Sequence, residues 1–218
     1  MRPYAVVMAL IIAVMAGFSI LTLMHVGWDA RLPIHYGTAG QPDRYATAPW
    51  ALAVLPLTAA VLAIGLPLLG RVLPGAKSLA RSTAAWGTAL VSMVALQGVA
   101  HAAMVSNAMG HPVDLGRVRA LGLGVFLVVV GNVMGKVRPN RLMGIRTPWT
   151  LADDWVWDQT HRFGGWVFVA AGLVLAALAL WLPPGHPRGP GLIAMVLLPT
   201  ALLTVVRSYL YWRVRPGR

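Results

Sequence analysis

Acids, a histidine and an arginine crowd into two helical turns between Asp154 and Arg162, DWVWDQTHR. On a helix, Asp154, Asp158 and His161 fall within an arc of about 60°, and Asp158 and Arg162 are an acid-to-base pair at i,i+4. Three chemistries fit this face. It is a solvated, self-paired surface, a clamp whose carboxylates grip nearby arginines or Arg207, or a site for a metal or a proton. The arginines stand just upstream, where Lys136, Arg138, Arg141 and Arg146 surround the helix breakers Pro139 and Gly144. Then comes Thr147-Pro148-Trp149-Thr150. Thr150 followed by Asp153 reads as a capping box with Asp in the usual Glu or Gln place, so a helix is expected from about Leu151. Asp153 and Asp154 complement its dipole. Trp149, Trp155 and Trp157 are expected to seat it at a membrane interface.

The element that positions these residues must be a membrane protein. The 218 residues are 58% hydrophobic and 11% charged, with mean hydropathy +0.69, whereas soluble domains carry about 25% charged residues. There is no Glu, and Asp29, Asp43, Asp114, Asp153, Asp154 and Asp158 all fall outside the apolar runs. That is where carboxylates belong when burying them in hydrocarbon is so costly. Apolar runs of about 20 residues, enough to cross a core about 30 Å thick, lie near 4–27, 50–70, 84–107, 118–135, 163–182 and 191–211. The expected fold is an all-α integral membrane bundle of six helices. It has a structured outer loop 28–49 and an amphipathic inner helix before the fifth span. Residues 1–83 form a two-span region, and 84–218 a four-span region carrying the inner loop 136–162.

Orientation follows from basic residues. Of the 18 Lys and Arg residues, only Arg31, Arg44, Arg117, Arg119 and Arg188 fall opposite the N-terminus, so both termini are expected in the cytoplasm. The +12 charge then serves lipid headgroups and topology, and no motif suggests direct nucleic-acid binding. The chain has no cysteine, which excludes disulfides and thiolate catalysis. Gly131 and Gly135 form a GxxxG that allows close helix approach.

The outer loop contains Pro33, Gly37, Gly40, Pro42 and Pro49, and reads as turn-rich rather than helical. It is either a lid on the bundle or a surface that meets an extracellular ligand. His25, His35, His101, His111 and His186 all fall toward this side, but no tight ligand spacing joins them and no metal or cofactor is expected. Gln97 and His101 share one helix face, where they hydrogen-bond within the bundle or line a polar pathway.

The two loops together resemble the SdpI family of bacterial multi-pass membrane immunity proteins. The inner-loop match runs Gly131-Asn132, Asn140, Gly144-Ile145-Arg146-Thr147-Pro148-Trp149-Thr150-Leu151, Val156-Trp157, Thr160-His161-Arg162 and Gly164. In the outer loop Leu32-Pro33, His35, Gly40, Pro42 and Asp43 resemble the small domain that commonly precedes it. The resemblance implies a protein of the bacterial cell membrane that protects the producing cell against a secreted toxic peptide. It also implies, in the signalling version, capture of a cytoplasmic repressor. The implied contact residues are Asn140, Gly144, Arg146, Thr147, Pro148, Trp149, Thr150, Asp154, Asp158, His161 and Arg162 inside, and His35, Gly40, Pro42 and Asp43 outside. The alternative is an exporter of a peptide or small amphiphile with Gln97, His101, Asn107 and Asn132 along its path. An enzyme is not expected, because GxSxG, HExxH and a cysteine nucleophile are all missing.

Overall fold

Every apolar run becomes one continuous helix in the computed structural model, which describes residues 1–37, 41–72, 81–183 and 190–216. Gly40, Lys77, His186, Arg188 and Arg218 lie outside the described residues. The spanning helices are α1 (Arg2–Val26), α2 (Ala48–Val72), α3 (Thr83–Ala108), α4 (Leu115–Met134), α6 (Asp154–Trp181) and α7 (Pro190–Arg213). A short helix α5 (Pro148–Ala152) precedes α6. Six of these helices are long and apolar enough to cross a membrane. Helices are the expected solution, because lipid offers no partner to a free backbone N–H or C=O.

The outer loop is a β-hairpin, which the turn-rich sequence did not reveal. Strands β1 (Arg31–Tyr36) and β2 (Pro42–Thr47) pair antiparallel, with Leu32 opposite Ala46 and Pro33 opposite Tyr45. Prolines are tolerated here because a two-stranded ribbon has only edges and Pro42 opens its strand. Register irregularities flank His35, whose Nδ1 lies 2.6 Å from Asp43 Oδ1. Leu32 points inward and packs with Ala48, Ala51, Leu52 and Val105, so the hairpin is seated on α2 and α3.

Inside the bundle, α1, α2 and α3 meet around Met8, Met15, Ala59, Leu90 and Val94. Polar side chains tie the same three helices together. The Ser19 hydroxyl donates to Leu52 O at 2.9 Å and lies 2.8 Å from His101 Nε2. Thr58 donates to Gln97 Oε1 at 2.7 Å. Gln97 and His101 thus both hydrogen-bond within the bundle.

Helix α3 also packs on α4, and α4 with α6 makes the most intimate contact in the molecule. Its cause is a glycine zipper of period seven. Gly131 faces Gly165, where a Cβ on either would come within 2.7 Å of the opposite carbonyl oxygen. Gly124 faces Gly172 in the same way. The antiparallel backbones therefore touch, as small residues permit in membranes. The expected GxxxG contributes only its first glycine, because a Cβ on Gly135 would meet nothing nearer than Arg162 Cγ at 3.6 Å. Around the zipper, Leu127, Ala171, Leu175 and Ala179 build a core that also receives Leu192, Ile193 and Val196 from α7.

Candidate functional site

The connection from α4 to α6 is held at almost every residue of its motif. The chain leaves α4 through a tight turn in which Lys136 and Val137 N–H groups bond to Val133 and Met134 carbonyls at 3.0 Å. Buried Val137 packs with Ala85 and Trp157. The Arg138 N–H donates to Ser82 Oγ on the far side, at 2.8 Å, which ties the loop to the start of α3. Asn140 organises the next turn. Its Oδ1 accepts from the Leu142 and Met143 N–H groups at 2.8 Å, while its Nδ2 donates to the Arg138 and Met143 carbonyls. All four hydrogen-bonding positions of the amide are used.

Gly144 follows with φ +115, and a Cβ there would overlap His161 Nε2 and lie 3.2 Å from Trp157 Cη2. Only glycine lets the backbone lie against that ring pair. The Ile145 N–H donates to His161 Nε2 at 2.9 Å. Nε2 is therefore the acceptor, so the proton sits on Nδ1 and is donated to Trp157 O at 2.8 Å. Both hydrogen bonds are met by the neutral imidazole of one tautomer. His161 also stacks on Trp157, centroids 4.0 Å apart and planes within 18°. Trp157, itself wholly buried, donates Nε1 to Val137 O at 2.8 Å.

Thr147 and Thr150 then form a reciprocal capping box that starts α5, and the Thr150 hydroxyl donates to Ile145 O at 2.8 Å. The expected box at Thr150 and Asp153 is thus displaced. Thr150 is the third residue of a helix that Thr147 caps. Asp153 is extended and becomes the cap of α6, its side chain accepting from Val156 N. The inner amphipathic segment and the fifth span are in consequence one helix of 28 residues. Trp149 donates Nε1 to Ser208 Oγ at 2.6 Å and meets Tyr209 edge-on at 5.4 Å, which fastens α5 to α7.

Asp154, Asp158 and His161 do not converge. The arc they share straddles the boundary of the buried face, so His161 is interior, Asp154 is exposed and Asp158 lies between. Asp158 Oδ2 lies 3.8 Å from Arg138, both side chains being about half exposed; among the described residues no ion pair joins Asp158 to Arg162. The closer clamp comes from Asp153, which accepts from Arg215 at 2.9 Å. Arg207 stacks instead over Tyr211 and Phe163. Trp157 does not anchor at an interface but fills the core, whereas Trp155 remains partly exposed beside Tyr211. No group of three His or acidic side chains able to hold a metal occurs among the described residues.

The motif therefore separates into two sets. Asn140, Gly144, Thr147, Trp149, Thr150 and His161 are engaged internally with the loop, α6 and α7. Lys136, Arg138, Arg141, Arg146, Pro148 and Arg162 are exposed and form a basic rim around that brace. Arg146 holds its place by donating to Arg141 O. Ser82, Val137, Trp157, Ser208 and Arg215 complete the brace and were not among the candidate residues read from sequence. Trp157 alone carried a signal, its place in the Val156-Trp157 step of the motif, and was read there as an interface anchor. On the hairpin face His35 and Asp43 are paired and exposed, beside Pro42.

A helical bundle braced in this way, with six helices long and apolar enough to cross a membrane, defines a multi-pass membrane protein. Its residues 136–208 match the model of the SdpI/YfhL protein family. The chain is 34% identical over 110 residues to Immunity protein SdpI of Bacillus subtilis (strain 168), a match covering 50% of this chain and 52% of that protein. The chain thus spans about half the length of the curated relative it matches. No solved structure matches it.

Proposed function

We propose that this protein makes its cell immune to a secreted peptide that damages the membrane, acting by binding and without a catalytic step. The observation that carries this reading is the 34% identity to an immunity protein over 110 residues. The motif residues of that relationship also suit recognition rather than catalysis. The most chemically versatile side chain among them, His161, has both ring nitrogens engaged by backbone groups, and neither is left to take or give a proton. The exposed residues are cations suited to an acidic partner surface. In this reading the hairpin face, with His35, Pro42 and Asp43, meets the peptide. The basic rim of Arg138, Arg141, Arg146 and Arg162 recruits a cytoplasmic repressor through protein contacts. Coupling the two faces requires only that the peptide bind one arrangement of the helices better than another.

The test is membrane potential in a sensitive bacterium challenged with a toxic peptide of this class, with and without the protein. Wild type should hold the potential, and Arg146→Ala, at equal membrane abundance, should lose repressor recruitment while the protein stays folded. A wild type that leaves the potential to collapse overturns the immunity reading.

A further inference from the structure

Beneath the hairpin lies a cavity of about 210 Å³, lined by Ile34 and Tyr36 of β1, Val54 of α2, Ala103 of α3, and Val118 and Arg119 of α4. Arg119 is its one charged group. The residue is half-buried, its Nε donates to Leu115 O within its own helix turn at 3.2 Å, and its guanidinium sits 5.4 Å from the centre of the Tyr36 ring. All six aspartates of the chain lie among the described residues, and no ion pair reaches Arg119 from any of them. Asp43 faces His35, and Asp114 accepts from the Arg117 N–H.

An uncompensated cation is costly at this depth. Arg119 lies four residues, about 6 Å along the axis, into a helix apolar enough to cross a membrane. A cation there draws an anion to itself or reaches for headgroups. The Tyr36 phenol is a neutral donor, and burial pushes it further above its ordinary range against the pull of Arg119. The rest of the lining is apolar and the volume is below the about 300–1,000 Å³ that holds a whole drug-sized ligand. It suits the upper part of a chain whose remainder lies in the bilayer. Arg31 and Arg44, exposed elsewhere on the hairpin, carry the same sign of charge.

We propose that this cavity is a site for an anionic phospholipid, its phosphate on Arg119 and Tyr36 and the start of an acyl chain against Val54, Ala103 and Val118. The site does not depend on the immunity reading.

The experiment uses the full chain in mixed micelles containing equal phosphatidylglycerol and phosphatidylcholine, with retained lipid quantified by native mass spectrometry. Wild type should retain phosphatidylglycerol preferentially. Arg119→Gln should reduce that preference about tenfold or more, the effect of removing a charge-assisted contact. Arg44→Gln should change it by less than about fivefold, as a surface charge does. Val54→Trp, which fills the cavity and leaves every charge in place, should abolish it too. Thermal midpoints of the variants check that each is folded. Equal retention of the two lipids by wild type overturns the proposal. So does a preference that survives Arg119→Gln or Val54→Trp, or displacement of the lipid by an equimolar apolar peptide.

Discussion

Gly144→Ala should be the most damaging single-methyl change in the inner loop, by a predictable margin over an equivalent change elsewhere. Two costs combine at this position. The positive φ of +115 strains any residue bearing a Cβ, by about 1–2 kcal/mol. The methyl also cannot occupy the space of the His161 ring, so that ring must move. Its movement breaks the hydrogen bond from Ile145 N–H, and an unsatisfied buried donor costs about 1–3 kcal/mol more. Gly110 provides the control. Its φ is +81, but nothing lies within 4 Å of its added Cβ, so Gly110→Ala incurs only the strain. Midpoints of denaturation in a single detergent, compared for the two variants, should differ by about 1–3 kcal/mol. In a His161→Ala background the overlap with the imidazole disappears and only the 3.2 Å approach to Trp157 Cη2 is left, so the excess cost of Gly144→Ala over Gly110→Ala should shrink, a coupling that a double-mutant cycle isolates. Equal costs for the two glycine substitutions in the wild-type background would refute the idea that Gly144 is fixed by contact with His161.

Two further substitutions test the packing. Gly131→Ala should lower stability by about 1–3 kcal/mol by forcing α4 from α6, whereas Gly135→Ala should be tolerated, since its Cβ has room; chemical denaturation of both decides whether the zipper or the GxxxG is the contact. Thr160 sits within the stretch that matches the family model, but among the described residues its buried hydroxyl has no hydrogen-bond partner. Thr160→Val should therefore leave the thermal midpoint unchanged or raise it, and a clear loss would mean the hydroxyl bonds to something essential.

Hydropathy alone determined that this chain crosses a membrane with six helices. Each span is a local property, set by whether about 20 successive residues prefer hydrocarbon to water, and no distant contact is needed to decide it. The loop motif was equally legible as a resemblance, and most of it falls within the stretch that matches the family model. The side of the brace on which each motif residue would fall was not legible. Asp154, Asp158 and His161 share an arc, yet the packed face ends within that arc, and its edge is set by Trp157, Val137 and Ala85 from three different segments. Gly144 and His161 are joined only because α6 returns past the loop. The hairpin was hidden because prolines and glycines describe a turn while strand pairing depends on the partner across the ribbon, here Leu32 against Ala46. Likewise the glycine zipper required knowing that α4 and α6 run antiparallel, which pairs Gly124 with Gly172 and Gly131 with Gly165. Sequence determined which segments would span, since solvent acts on residues one at a time. Tertiary structure decided which polar groups were left over for function, since hydrogen-bond partners are drawn from the whole chain.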